Sequence, residues 1–394
     1  MATRYLLYDA ADSEGPSKQR MAGLYFLRRA MELDRVLVLP RCRLLARHRQ
    51  RTRNHAAAIR LKGDDVYVPF SSLYNMSALT TLHPVVELRD YLRTSPVIEK
   101  FSWRPPCNAS NDDRRSVRFN GRLVRVRATQ PCSWFDELPR LAQDTSVSMA
   151  FGNSRDELQP HLAAPLRPFW RLGDAVYEAA ASFVRARFGD EPWLAVHWRR
   201  GDFVGLRPSK YVHGADRVLK HVRQLANTHG VGEHTRVYLA TDGDDGPELR
   251  QLTSALRVVR ATEDAVMNVS ILTGDGTTTA RAGGGVRHRA LRTALHAHLE
   301  LAICSMAPWF LGSATSTFTA TILDERVSVF GHDRGTAAHM IGDDAVGFAR
   351  APPAAARWRP LPLPERPPDL RIRVPTTWAE LDKLRRRGRG RGRG

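Results

Sequence analysis

At 394 residues, 42% of them apolar, the chain has the length and core material for about two globular domains. A formal net charge of +19 and a pI near 10.6 point to anionic substrates, polyanions or anionic surfaces, and say nothing about fold. The composition excludes a membrane-spanning helix, because no run of about 20 apolar residues occurs. A zinc knuckle is excluded too, because Cys42, Cys107, Cys132 and Cys304 show no Cys-x-x-Cys spacing.

Arg4 to Tyr8 reads as a strand, Gln19 to Leu33 as a helix through Leu24, Leu27, Ala30 and Met31, and Val36 to Leu39 as a strand stopped by Pro40. Strand, helix and strand in this compass form a βαβ unit, which predicts parallel strands and a right-handed crossover. Its first loop, Asp9 to Ser17, falls at the carboxyl edge of the sheet, where open α/β folds bind ligands. Glu14, before Gly15, is the acid of interest there, set against the plain alternative of a solvated carboxylate. Met1 to Arg4 leads straight into the first strand, so no signal peptide is expected.

Arg41 to Lys62 is basic and irregular, Val66 to Phe70 reads as a strand, and Val85 to Leu88 as another. Lys100 to Trp134 is Pro-, Asn- and Arg-rich and reads as a loop-rich excursion, in which a Cys107–Cys132 disulfide is one option. Sequons at Asn75, Asn108 and Asn268 are usable only in the secretory pathway, although such tripeptides also arise by chance. Clustered Pro and Ala between Pro160 and Pro168 mark a domain boundary. The expected division is residues 1–165, 166–350 and a Pro/Arg-rich tail, 351–394. The tail's end, Arg385 to Gly394, holds only Arg and Gly and cannot fold alone.

The second half alternates again. Helices are expected over Gly173 to Phe188, through Val218 to Leu225, from Pro247, and through Leu291 to Ile303. Strands are expected at Val237 to Thr241, Val258-Val259 and Trp309 to Leu311, and Gly274 to Gly285 reads as a mobile loop. Two α/β halves facing a cleft is the architecture that follows.

The densest chemistry lies at Trp193 to Phe203, where the apolar run Leu194-Ala195-Val196 turns into His197, Arg199, Arg200 and Asp202. A continuous apolar strand is covered on both faces and delivers ligand-binding residues at its carboxyl end. The Arg-Gly-Asp tripeptide leaves a buried run directly, which argues against an adhesion loop. Two guanidiniums beside Gly201 form a donor fork for phosphate, the alternative being a solvated loop with internal ion pairs. Gly312 to Thr317 is a hydroxyl-rich turn after a strand and at a helix start, suited to phosphate. It matches neither a Walker loop nor a dinucleotide fingerprint. Capping of a structural helix by Ser316 or Thr317 is its simpler reading, and together with Arg199 a diphosphate site is the better one.

Tyr5 to Asp9 with Ser13-Glu14-Gly15, Val66 to Phe70, His197 to Phe203, Val237 to Asp242, and Ile303-Cys304 with Phe310 to Gly312 and Ser316-Thr317-Phe318 resemble, in order, the GDP-fucose protein O-fucosyltransferases. The closest likeness is to the type 2 branch, which acts on thrombospondin repeats. It runs with gaps from about Tyr5 to Phe330.

The resemblance implies an α/β GT-B glycosyltransferase fold of two Rossmann-like domains facing a cleft, the second holding the nucleotide sugar. It implies transfer of L-fucose from GDP-fucose to a Ser or Thr hydroxyl of a protein acceptor, a cysteine-rich repeat, with inversion and without a required metal or other cofactor. By position Glu14 matches the base and Gly15 its neighbour in the loop. Arg199 matches the arginine on the β-phosphate, with His197 and Asp202 in the same motif. Ser316, Thr317 and Phe318 match the phosphate and nucleoside turn, and Glu300 stands where type 2 enzymes carry an Asp for the guanine edge. The family's Phe and Asn after Glu14-Gly15 are Pro16 and Ser17 here, which reshapes the acceptor side. Cys107 and Cys132 fall where the family has a disulfide, which implies the endoplasmic reticulum lumen or secretory pathway. The missing signal peptide leaves a cytoplasmic relative as the alternative.

Two rival functions share parts of this evidence. A fucosyltransferase acting on a glycan would keep the donor site and change the cleft. A basic nucleic-acid-binding protein would use the Arg-Gly tail, against which stands the absence of an RRM, KH or zinc motif. Asp242-Gly243-Asp244 has the spacing of a Mn²⁺ pair, but is read instead as a cap on the loop after its strand.

Overall fold

The structure is a computed structural model. It describes residues 3–9, 16–40, 42–44, 66–94, 114–119, 122–127, 146–150, 160–201, 203–206, 212–230, 235–243, 246–261, 271–273, 276–278, 286–314, 316–332, 338–341, 360 and 362–365.

The first half runs β1 (Tyr5–Asp9), α1 (Pro16–Glu32), β2 (Val36–Leu39), β3 (Cys42–Leu44), β4 (Val66–Val68), α2 (Met76–Leu82), β5 (Val85–Glu87), α3 (Leu88–Thr94), β6 (Arg114–Phe119), β7 (Arg122–Arg127) and β8 (Ser146–Ala150). β5, β2, β1 and β8, in that order, form a parallel sheet. The expected βαβ unit is therefore present. Its helix starts three residues earlier than the periodicity suggested, at Pro16, where proline's fixed φ suits a first helical residue and its missing N–H costs no bond. Tyr8 stacks on Phe26 at 4.6 Å and joins strand to helix.

Two expected features of this half change form. Val66 to Phe70 is strand only to Val68, pairing antiparallel with β3 outside the main sheet. Pro69 then starts the 3-10 turn Phe70–Ser72. Within the expected loop excursion, β6 and β7 form an antiparallel hairpin from Arg114↔Arg127 to Phe119↔Arg122. Asn75 serves as the N-cap of α2, its side chain accepting from Ala78 N at 2.9 Å and donating to Asp174 at 3.1 Å.

The second half runs α4 (Asp174–Phe188), β9 (Trp193–Trp198), α5 (Ala215–Thr228), β10 (Arg236–Thr241), α6 (Pro247–Ala255), β11 (Arg257–Val259), β12 (Ile271–Thr273), β13 (Gly276–Thr278), α7 (Val286–Met306), β14 (Trp309–Ser313), α8 (Thr317–Ser328) and β15 (Ala338–Ile341). Its sheet has the order β11-β10-β9-β14-β15, and every pairing in it is parallel. β9 is the middle strand and is buried along its whole length. Trp193 and Ala195 face one apolar cluster and Leu194, Val196 and Trp198 the other. Full burial of a Leu or Val contributes about 1.5–3 kcal/mol, so both faces of this strand hold the sheet. β12 and β13 form a small antiparallel hairpin overlapping the stretch expected to be a loop.

One apolar cluster runs through both halves, from Leu6 and Phe26 by way of Trp170 and Val176 to Phe310 and Ile322. The segment joining the halves is part of it. The ring of Trp170 lies so close to α1 that a Cβ at Gly23 would come within 2.1 Å of it, and glycine is what permits the approach. Part of the expected tail also docks: Pro362 O accepts from Arg171 Nη2 at 3.3 Å, and Leu363 packs against the same core. Residues 366–394, with the Arg-Gly end, lie outside the described residues.

Candidate active site at the carboxyl edge of the second sheet

Three strand ends are stitched together by hydroxyls. Ser313 Oγ, at the end of β14, accepts from Arg199 N at 2.8 Å and donates to His197 O at 3.1 Å. Thr241 Oγ1, at the end of β10, donates to Trp198 O at 2.6 Å and accepts from Gly243 N at 3.1 Å. The main chain of residues 197–199 is thus held from both sides, as close positioning of a ligand-binding side chain requires.

Arg199 stands on this platform, partly exposed. Its Nη1 lies 2.6 Å from Asp242 Oδ2, and its guanidinium sits over the Phe203 ring at 5.3 Å. The other oxygen, Asp242 Oδ1, accepts from Arg200 N at 2.8 Å. Asp242 therefore clamps the neighbouring loop instead of capping its own, a correction to the sequence reading; the turn after β10 is capped by Thr241. Gly201 lets this happen, since a Cβ there would stand 2.2 Å from Asp242 Oδ2.

The expected two-arginine fork is corrected as well. Arg200 pairs with Glu248, donates to His213 O at 3.3 Å and lies over Trp198 at 5.1 Å. Its charge is used to fasten the loop to α6, and Arg199 is the cation placed beside the turn.

α8 begins beside Arg199. Ser316 is its N-cap by backbone geometry, yet its hydroxyl makes no capping bond, so hydroxyl capping does not explain this residue. The first turn of a helix presents N–H groups without intrahelical acceptors and a partial positive charge. Thr319 Oγ1 lies 2.7 Å from His197 Nδ1, and the Phe318 ring is 4.9 Å from the His197 ring. Gly312 is required for this approach, because a Cβ there would come within 2.4 Å of the Thr319 methyl. Burial, helped by the charge of Arg199, pushes the His197 imidazole down to about 3, so it is neutral at physiological pH.

Glu300 projects from α7 and is largely buried, with His296 Nδ1 at 4.0 Å. Burial raises its carboxyl to about 7; His296 and Arg260 oppose the rise and Asp242 adds to it. The influence of Asp242 puts Glu300 in the same electrostatic neighbourhood as Arg199.

A small pocket is lined by both halves: Pro16, Ser17 and Arg20 from α1, and Phe318, Thr321 and Glu325 from α8. The structure thus brings together His197, Arg199, Ser316, Thr317 and Phe318, with Glu300 nearby. Glu14, Gly15 and Asp202 lie outside the described residues, as do Cys107, Cys132, Asn108 and Asn268. Sequence reasoning placed Ser313 only within the Gly312 to Thr317 turn and missed Thr319 and Arg20, for which there was no signal. Among the described residues no group of three or more His, Cys, Asp or Glu is arranged to hold a metal ion, and no helix is long and apolar enough to cross a membrane.

The crystal structure of POFUT1 in complex with GDP matches with a TM-score of 0.58 at 15% identity, over 87% of this chain and 99% of that one. The POFUT1 complex with GDP-fucose matches with a TM-score of 0.56 at 15% identity, over 87% of this chain and 100% of that one. At such identity the likeness shows the fold, the α/β GT-B architecture expected from the sequence. GDP-fucose protein O-fucosyltransferase 2 of Drosophila melanogaster is 27% identical over 215 residues, which are 54% of this chain and 33% of that protein. The match therefore spans about a third of the relative's length. The sequence model of the GDP-fucose protein O-fucosyltransferases matches residues 5–328, and the chain belongs to that family.

Proposed function

We propose that the protein transfers L-fucose from GDP-fucose to a Ser or Thr hydroxyl of a protein acceptor, with inversion and without a metal. We take the acceptor to be a cysteine-rich repeat of the thrombospondin type, on the likeness of the sequence motifs to the type 2 branch, with Pro16 and Ser17 reshaping the acceptor side. The observation that carries the reading is the fixed placement of Arg199, anchored by Asp242 and Ser313 beside the start of α8.

In this reading the diphosphate lies between Arg199 and the Ser316-Thr317 turn, and Phe318 packs against the nucleoside. Glu300 accepts from the guanine edge. Neutral His197 holds Thr319, and through it the first turn of α8, at the correct height. The acceptor oxygen attacks the anomeric carbon, its proton passes to the Glu14 carboxylate, and the sugar–phosphate bond breaks to release GDP. Arg199 offsets the charge that develops on the leaving diphosphate. Pro16, two residues beyond Glu14, lines the pocket together with Phe318, which supports an approach of this loop to the donor from the opposite side.

The test is transfer by the purified chain to a folded thrombospondin repeat, with GDP-fucose compared against GDP-mannose and UDP-sugars. Glu14→Gln should keep GDP affinity and lower transfer about 10²–10⁴-fold. Wild-type transfer by this variant removes Glu14 as the base, and transfer only to free glycans favours the glycan-acceptor alternative. We propose a secretory compartment on the strength of Cys107 and Cys132, and non-reducing peptide mapping of secreted protein decides whether they are bonded.

A further inference from the structure

The two helices that line the pocket are fastened to each other by one buried arginine. On α1, Pro16 and Arg20 are four residues apart and share a face; on α8, Phe318, Thr321 and Glu325 follow the same three- and four-residue spacing. Both faces line the same small pocket. Arg20, 3% exposed, places Nη1 3.3 Å from Asp324 Oδ2 and Nη2 3.2 Å from Glu325 Oε1, and also donates to Trp170 O at 3.4 Å. Asp324 is shared with Arg167 at 3.0 Å. Glu325 is held further by Tyr177, whose hydroxyl donates to Oε2 at 2.5 Å while accepting from Leu172 N at 3.2 Å.

We infer that Arg20 is a positioning residue: its grip on Asp324 and Glu325, in the second half of α8, sets the spacing between α1, where the acceptor side begins, and α8, whose first turn carries the diphosphate turn. The inference rests on the fucosyl-transfer reading. Burial opposes the charge of Arg20, yet Glu325 and Asp324 keep it protonated. A planar guanidinium reaches two carboxylates and a carbonyl at once, which an ammonium does not. A small change in this spacing acts on in-line attack and leaves GDP binding, which belongs to the second half, largely untouched. Misplacement by about 1 Å is enough to cost about 10²-fold in rate.

The experiment uses the full chain with Arg20→Lys, and with Asp324→Asn as a milder variant that leaves no uncompensated buried carboxylate. For Arg20→Lys we expect GDP affinity within about twofold of wild type and kcat for fucosylation of a folded thrombospondin repeat down by about tenfold or more. Amide exchange should quicken together in residues 19–24 and 319–323 and stay unchanged in β9. Asp324→Asn should show a smaller loss with the same split, and it carries the test if Arg20→Lys does not fold. Unchanged exchange in either segment, unchanged kcat, or GDP affinity falling in step with kcat each overturns the inference. Wild-type protein that neither hydrolyses GDP-fucose nor transfers from it removes the fucosyl-transfer reading instead, and the exchange comparison still decides whether Arg20 spaces the helices.

Discussion

Asp242 and Arg199 meet across two neighbouring strands, with Oδ2 of one 2.6 Å from Nη1 of the other, while the same carboxylate accepts from the Arg200 amide at 2.8 Å. One acid therefore fixes the side chain of the cation and the main chain of the residue that follows it. Arg199→Lys keeps the charge and loses the planar fork, so turnover should fall about 10²–10³-fold, with weaker GDP binding. Asp242→Asn keeps an acceptor for the amide and loses the ion pair, and should give a smaller loss of kcat. Steady-state rates and GDP titrations of both variants check this, and a wild-type rate in Arg199→Lys rules out the assignment.

Metal independence follows from the same pair. A carboxylate engaged by a guanidinium and a main-chain N–H is poorly placed to bridge a divalent cation to a diphosphate, and in the proposed mechanism Arg199 supplies the positive charge instead. EDTA should leave the transfer rate unchanged and added Mn²⁺ should not raise it. Loss of activity in EDTA with recovery in Mn²⁺ would require a different mechanism.

If Glu300 accepts from the guanine edge as proposed, its acidity should make nucleotide binding depend on pH. With its carboxyl raised to about 7 by burial, the side chain is mostly protonated at pH 6, whereas the guanine edge presents donors and requires the carboxylate. Binding then releases a proton, so GDP affinity should rise by about tenfold from pH 6 to pH 8 and level off above that. In Glu300→Gln the affinity should be lower and the slope flat. Calorimetry in buffers of different ionisation enthalpy measures the proton directly, and proton uptake would contradict the sign.

Gly312 tests the packing under the turn. A methyl there would meet Thr319 Cγ2 at 2.4 Å and the Phe310 ring at 2.9 Å. Gly312→Ala should cost about 1–3 kcal/mol, seen as a lower denaturation midpoint at unchanged slope. Because Thr319 also holds His197, GDP affinity should fall with it. A midpoint equal to wild type would show that the first turn of α8 yields without cost.

The parts of the fold that were readable in the sequence are those fixed by local pattern. The run around Leu194 and Val196 is apolar throughout because both of its faces are covered, and Pro247 opens a helix. β8 and β15 were not readable, since Ser146 to Ala150 and Ala338 to Ile341 become strands by pairing with β1 and β14, far away in the chain. In the β6–β7 hairpin the signal existed: Asn120-Gly121 separates two alternating runs, within a stretch whose Pro, Asn and Arg content otherwise reads as loop. The site divides in the same way. His197, Arg199 and Ser316 stand at strand and helix ends that the sequence marks, whereas Asp242 meets the Arg200 amide across 42 residues and Arg20 meets Asp324 across 304.

The seat of Trp170 makes the joint between the halves optically visible. Its indole lies against Gly23 with Phe70 at 5.3 Å and Tyr74 at 6.1 Å, and its ring N–H finds no hydrogen-bond acceptor among the described residues. Such a ring fluoresces at shorter wavelength than a hydrated one. The difference in emission between wild type and Trp170→Phe therefore reads this contact alone among eight tryptophans. Any widening of the gap between α1 and the joining segment during a catalytic cycle should appear as a red shift in that difference, on the timescale of a stopped-flow mixing experiment.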